Sequence, residues 1–182
     1  MSRYRFYTVD VFTDRRFSGN QLAVLPDARG LDSESMRRIT REFNFSESTF
    51  VFPPEDPAHT RRVRIFTPGA EMPFAGHPTL GTAYVLAING EIALTGEETR
   101  IVFEEGVGPI PVVIRSRGGR PVFCRLTAAR LPEAGPQPPP AAEVAAVYGL
   151  SAGDLLGGDY SLQAYSCGVP FLFVPVKDRS AL

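Results

Sequence analysis

The sequence predicts an α+β fold in which strands enclose a single buried helix, and three features support this prediction. Residues 4–12 (YRFYTVDVF) alternate with the period of two that is typical of a strand. Residues 78–89 are apolar nearly all round, which is typical of a helix that is enclosed on every side. Short strand-like runs separated by Gly-containing turns follow. A unit of about 125 residues of this kind can bury its own core.

The first half of this unit is predicted to contain a hairpin and an amphipathic helix. Strands at 4–12 and 21–26 flank a Gly19-Asn20 turn, which favours a hairpin. The segment LDSESMRRITREFNF is typical of a helix, because Asp32 or Ser33 can cap it and Glu34 lies in its positive first turn. Its apolar side chains recur at helical spacing, and we expect it to end near Asn44.

The central helix is predicted to run from Pro78 to about Asn89. Proline suits a first helical position, and Gly90 suits the position after the helix end. The remaining strands of the unit are predicted at 47–53, 61–68, 99–105, 108–116 and 120–127.

A proline-rich stretch divides the chain in sequence. We expect a first domain at 1–127, a linker at 128–141 and the start of a second domain at 142–182. The last segment begins with a short helix, AAEVAAVYGL, and continues with the strands SLQAYSCG and PFLFVPV. About 40 residues approach the size below which a domain needs a partner to fold, so a truncated second domain is expected.

Composition excludes several classes of protein. The net charge of -1 disfavours a nucleic-acid partner, and no apolar run approaches the length of a membrane span. The N-terminus alternates and has no continuous apolar core of a signal peptide, so we expect a cytoplasmic protein. Cys124 and Cys167 form no CxxC pair, and we interpret them as buried, inert thiols. No nucleotide, serine-hydrolase or paired-histidine metal motif occurs, so nucleotide-dependent, serine-hydrolase and metal-site interpretations find no support.

Glu47 is the first candidate for chemistry. It opens a predicted strand between apolar neighbours, in F-S-E-S-T-F-V-F. Burial disfavours the charged carboxylate, which would make Glu47 a proton donor and acceptor near neutral pH. The alternative is that Glu47 points to solvent, since the residues of a strand alternate between its faces.

His77 is the second candidate. With Gly76 it precedes the predicted central helix, whose first N–H groups have no partners within the helix and attract anions. Gly76 would allow a ligand to approach the backbone closely. A substrate carboxylate at this end, with His77 beside it, is chemically sensible. The alternative is a structural histidine at a helix boundary.

Four stretches resemble the PhzF family of phenazine-biosynthesis-like isomerases and epimerases. They are YTVDVFTDRRFSGNQLAV, NFSESTFVF, RIFTPGAEMPFAGHPTLGTAYVL and YSCGVPFLFVPVKD, in family order and spacing. The resemblance implies a diaminopimelate-epimerase-like fold. Such a fold has two similar domains, each a curved mixed sheet wrapped around a central helix, with the active site between them.

The resemblance also implies cofactor-free proton transfer. Glu47 would be the main acid/base, and His77, Gly76, Ser46 and Asn20 would bind the substrate. Cys124 and Cys167 fall in no matching motif, so a two-thiol racemase mechanism is not expected. The family also implies a homodimer and an Asp with a Gly/Ser-rich loop in the second domain. Residues 128–182 contain no match to that second motif, and Gly157-Gly158-Asp159 is only superficially similar.

We therefore expect a cofactor-independent isomerase or epimerase that moves a proton on a small carboxylate-bearing metabolite. As a 182-residue fragment it is expected to be inactive, because half of the site is missing. The alternative is a non-catalytic module that binds a small ligand or another chain through the half of the cleft that is present.

Overall fold

A computed structural model describes residues 3–167 and 169–181. The chain forms two compact units, Met1–Ala129 and Arg130–Leu182, each with its own sheet. The predicted boundary at 127 lies two residues before the division between the units.

The first unit contains an eight-stranded mixed sheet. Its strands lie in the order β1-β2-β3-β4-β6-β7-β8, and β5 pairs with β4 outside this path. The pairs β2–β3 and β4–β6 are parallel, and the other pairs are antiparallel. The bounds are β1 Tyr7–Val11, β2 Asn20–Leu25, β3 Glu47–Phe52, β4 Arg61–Phe66, β5 Glu71–Met72, β6 Glu98–Glu105, β7 Gly108–Arg117 and β8 Arg120–Leu126.

The predicted buried helix is confirmed. Helix α2 (Gly76–Ile88) contacts β1 and β8, the strands at the two ends of the sheet, so the sheet curls around it. A hydroxyl hydrogen bond of 2.8 Å between Thr49 and Thr82 joins β3 to the helix inside the core. Gly81 faces β1 and β2 so closely that a Cβ there would lie 2.7 Å from Cδ2 of Leu22. This close approach requires glycine.

Helix α2 begins earlier than predicted. Its first residue is Gly76 and its N-cap is Ala75, which is extended (φ -155°, ψ 138°), so the predicted start at Pro78 is wrong. Proline is tolerated at the third helical position because the first N–H groups of a helix need no partner within it. His77 therefore lies in the first turn of the helix. The helix end is as predicted, with Asn89 at the C-cap and Gly90 in the left-handed region (φ 76°).

Helix α1 (Ser33–Phe43) packs outside the sheet, as predicted. The N–H of Ser35 donates to the Asp32 carboxylate at 2.7 Å, and Asn44 ends the helix in the left-handed region (φ 54°). Met36, fully buried, lies in a second apolar cluster with Phe50 and Phe66. The two sides of the sheet thus bury separate cores.

The predicted hairpin is also confirmed, but its first strand is shorter than residues 4–12. Strand β1 begins at Tyr7, which pairs with Val24, and β2 ends at Leu25. Pro26 has no N–H to donate, so residues before Tyr7 have few partners for a ladder.

The second unit contains α3 (Ala141–Val147) and a three-stranded antiparallel sheet in the order β11-β10-β9. The strands are β9 Glu133–Ala134, β10 Gln163–Ser166 and β11 Pro170–Phe173. The two strands predicted here, SLQAYSCG and PFLFVPV, correspond to β10 and β11 and are both longer than the observed strands. Gly168, the last residue of the first of them, lies outside the described residues. Strand β9 lies within the predicted linker 128–141. Gly135 donates its N–H to the carbonyl of Ala164 at 2.7 Å, which ties this stretch to β10. Part of the proline-rich segment therefore belongs to the second unit.

Candidate active site

Four of the five predicted site residues form a continuous chain of polar contacts. The Ser46 hydroxyl donates to Oδ1 of Asn20 at 3.2 Å, and Nδ2 of Asn20 lies 3.2 Å from Nδ1 of His77. On the other side of the ring, Nε2 of His77 lies 3.3 Å from Oε2 of Glu47. These residues are separated by up to 57 positions in sequence, so the fold brings them together.

The pairing of parallel strands explains this juxtaposition. Asn20 is the first residue of β2 and Glu47 the first residue of β3, and Leu22 lies opposite Glu47 in the ladder. Parallel neighbours begin at the same edge of a sheet. The first turn of α2 reaches this edge and places His77 between the two side chains.

The Glu47 side chain is 18% exposed and lies against His77, so it does not point freely to solvent. The contact between Oε2 and Nε2 is close, but its angles are not those of a hydrogen bond. Within the described residues, neither of these two atoms has another hydrogen-bond partner, and both are buried. Buried polar atoms without partners are rare in folded proteins. Among the described residues, two of the five such atoms belong to Glu47 and His77, and the others belong to Arg37, Ser48 and Glu105.

Burial sets the protonation state of His77. The ring is 9% exposed, and loss of hydration lowers its pKa; the charge of Glu47 and the backbone of Gln21 oppose this shift. The neutral ring is therefore favoured at neutral pH. With Ser46 donating to Oδ1, the amide of Asn20 donates to Nδ1 of His77, and the ring proton lies on Nε2, the ring nitrogen nearer to Glu47.

Gly76 is the fifth predicted residue. It opens α2, and a Cβ placed there would meet no atom within 4 Å among the described residues. The backbone beside His77 is thus accessible to a ligand.

A cavity of about 310 Å³ adjoins this chain of contacts. Sequence reasoning identified Asn20 and Ser46 in its wall but missed most of the others. The lining residues are Asp10, Phe17, Gly19, Asn20, Gln21, Asn44, Phe45 and Ser46. The signals that could have found them are the Gly-Asn turn after β1 and the helix end at Asn44, since both precede strands that meet at this edge.

The 12–19 loop at the cavity is held in an unusual conformation. Phe12 and Phe17 have positive φ angles of 63° and 65°, which non-glycine residues seldom adopt. The N–H of Phe17 donates to the Asp10 carboxylate at 2.9 Å. Gly19 packs against this turn so tightly that a Cβ there would lie 2.6 Å from Cγ2 of Thr13. Together these contacts fix one wall of the cavity.

A buried carboxyl that sequence reasoning missed lies at the start of α2. Glu105 is 8% exposed and contacts the Thr79 hydroxyl at 2.6 Å. Burial raises the pKa of Glu105 to about 7, and the hydrogen bond with Thr79 opposes this shift.

The two cysteines are free thiols. Burial raises the pKa of Cys124 to about 12, so its thiol stays protonated at neutral pH, and Cys167 is partly buried. In the described part of the chain, no three His, Cys, Asp or Glu side chains are grouped so as to hold a metal ion. The described helices also include none that is long and apolar enough to cross a membrane.

Comparison with known families identifies the chain. The sequence profile of the PhzC-PhzF family, described as phenazine biosynthesis-like protein, matches residues 9–182. The chain belongs to this family. The resemblance to this family is thereby confirmed over nearly the whole chain.

PhzC-PhzF relatives carry isomerase and epimerase names. An uncharacterized isomerase of Mesorhizobium japonicum is 40% identical over 186 residues and covers 100% of this chain. The trans-2,3-dihydro-3-hydroxyanthranilate isomerase of Pseudomonas aeruginosa is 34% identical and covers 98% of this chain. The structure of a predicted epimerase from Pseudomonas aeruginosa superimposes with a TM-score of 0.85 at 33% identity over 99% of this chain. These matches confirm the fold class.

The chain is shorter than these PhzC-PhzF relatives. It spans 59% of each of the two named isomerases and 61% of the solved structure. This agrees with the expectation of an incomplete second domain.

Proposed function

We propose that this chain contributes the Glu47 half of the active site of a cofactor-independent isomerase or epimerase. The enzyme would move a proton on a small metabolite that bears a carboxylate. The observation that carries the proposal is the 3.3 Å approach of Glu47 Oε2 and His77 Nε2, two buried atoms without other hydrogen-bond partners among the described residues.

Glu47 is the proposed acid/base. Its carboxylate would take a proton from a carbon next to an unsaturated or carbonyl-bearing centre. Partial burial strengthens the interaction of the carboxylate with a reacting atom, because water screens the site less. The proton would return to another carbon from Glu47 itself or from a group on the remaining part of a longer protein.

His77 and the start of α2 are the proposed substrate-binding groups. The neutral ring with its proton on Nε2 would donate a hydrogen bond to the substrate, and Asn20 with Ser46 would hold the ring in that orientation. The free N–H groups of the first turn would bind the substrate carboxylate, and Gly76 leaves room for it. We further propose, as expected from the sequence, that the enzyme is cytoplasmic and homodimeric.

Deuterium incorporation tests this function. The probe is trans-2,3-dihydro-3-hydroxyanthranilate, the compound in the name of the Pseudomonas aeruginosa relative, incubated in D₂O and followed by mass spectrometry. Two proteins are compared: the 182-residue chain, and this chain extended by the part of the Mesorhizobium japonicum relative beyond the matched region. We expect exchange in the extended protein and little or none in the 182-residue chain.

Glu47→Gln in the extended protein is the decisive variant. General acid/base catalysis contributes roughly 10²–10⁴-fold to rate, so exchange should fall by about that factor. Glu97→Gln, at an exposed glutamate, is the matched control and should exchange like the parent. Exchange that survives in Glu47→Gln would exclude Glu47 as the acid/base.

A binding module is the second candidate, and one observation favours it. The cavity of about 310 Å³ is lined entirely by residues between Asp10 and Ser46, so the first unit forms it alone. Saturable binding of the same compound by the 182-residue chain, without deuterium incorporation even in the extended protein, would favour this function over catalysis.

A further inference from the structure

Glu105, at the end of β6, contacts the helix that carries His77. Its Oε1 lies 2.6 Å from the Thr79 hydroxyl, which itself lies 2.8 Å from the carbonyl of Ala75. Its Oε2 is buried without a hydrogen-bond partner among the described residues. Neither Glu105 nor Thr79 belongs to the chain of contacts between Ser46 and Glu47.

The number of protons available to these contacts indicates the protonation state of the Glu105 carboxyl. A hydroxyl has one proton, so Thr79 cannot donate to the Ala75 carbonyl and to a Glu105 carboxylate at the same time. Both short contacts are satisfied when Glu105 is protonated, since Oε1–H donates to Thr79 and Thr79 donates to Ala75. Once Glu105 loses its proton, the Thr79 hydroxyl can donate to only one of the two oxygens, and its short contact with the other has no proton between the two atoms.

The contacts from Glu105 through Thr79 to Ala75 lead to the candidate site. Ala75 is the N-cap of α2 and has no side-chain cap, and Gly76 and His77 follow it directly. The Ala75 carbonyl receives the Thr79 N–H only at 3.4 Å, so the hydroxyl contact is the shorter tie in this first turn.

We propose that protonated Glu105 is a positioning residue that holds the first turn of α2, and with it His77, against Glu47. Loss of this proton loosens the turn and moves His77 relative to Glu47. An effect of Glu105 on catalysis rests on the proposed function. Its effect on the position of His77 does not, because that position can be measured without turnover.

The surroundings of Glu105 indicate that its own proton, and not a neighbouring charge, controls the position of the first turn of α2. Burial is the cause that raises its pKa to about 7, and no charged side chain of the described residues contributes to the shift. Several charged groups of the neighbouring strands have partners of their own. These pairs are Glu104 with His59 (3.0 Å), Glu71 with Arg64 (2.6 Å), Arg62 with Glu55 (2.6 Å), Arg115 with Glu98 (3.0 Å), and Arg61 with the carbonyls of Thr60 (2.8 Å) and Glu91 (3.1 Å). On α2, His77 lies 3.3 Å from Glu47.

The test is a titration of the ¹⁵N- and ¹³C-labelled 182-residue chain by nuclear magnetic resonance between pH 5 and 9. The amide signals of Gly76, His77 and Thr79 should shift in one step with a midpoint near pH 7, and the side-chain carboxyl carbon of Glu105 should titrate with the same midpoint. Glu105→Gln keeps a donor toward Thr79 and should abolish the step. Glu98→Gln, an exposed glutamate on the same strand, should keep it.

Three results would overturn the proposal. They are a Glu105 carboxyl that titrates near its ordinary pKa of 4.5, amides of Gly76, His77 and Thr79 without the step, and a step that persists in Glu105→Gln because His77 itself produces it. The carboxyl titration uses the unmodified chain, so the proposal stays testable if the variant does not fold. Thr79→Ser, which retains the hydroxyl, should keep the step. None of these readouts depends on isomerase activity, so a failure here is distinguishable from a failure of the proposed function.

Discussion

Glu47 and His77 meet with Oε2 and Nε2 3.3 Å apart, although one begins a strand and the other lies in the first turn of a helix. The ring is held from its other nitrogen by Asn20, so the carboxylate faces a defined edge of the imidazole. This arrangement places a proton acceptor and a hydrogen-bond donor side by side at one edge of the sheet.

Asn20→Ala should change the ratio of the two neutral tautomers of His77. In the intact protein the amide donates to Nδ1 and favours the Nε2–H tautomer. A net hydrogen bond contributes about 1 kcal/mol, so its loss should change the tautomer ratio by about fivefold. The ¹⁵N shifts of the ring nitrogens measure this ratio. Asn89→Ala is the control, since the Asn89 side chain donates to the carbonyl of Val85 at the other end of α2. An unchanged ratio in Asn20→Ala would contradict the assigned contact.

Ser46→Ala should have a smaller effect of the same kind. Ser46 contacts the ring only through Oδ1 of Asn20, at 3.2 Å, and thus orients the amide. Without it the amide can rotate and offer its oxygen to the ring, which favours the opposite tautomer. We expect the ratio to shift in the same direction as in Asn20→Ala and by less. A larger shift than in Asn20→Ala would show that Ser46 acts by another route.

Glu105→Gln should change how stability depends on pH. The pKa of Glu105 is raised from 4.5 to about 7, so the folded state binds the proton more tightly than the unfolded state. This stability is fully present below pH 4.5 and is lost as pH rises toward 7, by about 3 kcal/mol in total. Urea unfolding across this range should show the loss in the parent and not in the variant.

Glu98→Gln is the control for this measurement and should follow the parent curve. The result is the difference between the parent and Glu105→Gln, because His77 contributes to the pH dependence of stability in both proteins and with the opposite sign. Burial lowers its folded pKa, so its contribution is lost as pH falls below 6.5. A parent and a Glu105→Gln variant with parallel curves would show that Glu105 carries no linked proton.

Gly81→Ala should destabilise the first unit although alanine favours helices. The added Cβ would lie 2.7 Å from Leu22 and 2.8 Å from Val11, whose side chains are buried and cannot move aside freely. Overpacking of a core costs about 1–3 kcal/mol, which exceeds the gain of up to about 1 kcal/mol from helix propensity. Urea unfolding measures the difference. Gly76→Ala, where the same Cβ meets open space, should stay within about 0.5 kcal/mol of the parent.

Local signals explain why much of the fold could be predicted. Asp32 and Asn44 mark the ends of α1, and the all-apolar character of α2 predicted its burial. These features act over a few residues, so they can be recognised without knowledge of distant contacts. The start of α2 was predicted wrongly because proline is allowed at more than one position of a first turn.

The sequence by itself determined the α+β class, the central helix and the two residues that carry the proposed chemistry, Glu47 and His77. Only the tertiary structure decided which side chains surround them. Asn20 contacts His77 because β2 and β3 pair in parallel, and Glu105 contacts Thr79 because β6 ends beside α2. Strand pairing and burial depend on how the whole core packs, so residues distant in sequence become neighbours without any local pattern that predicts it.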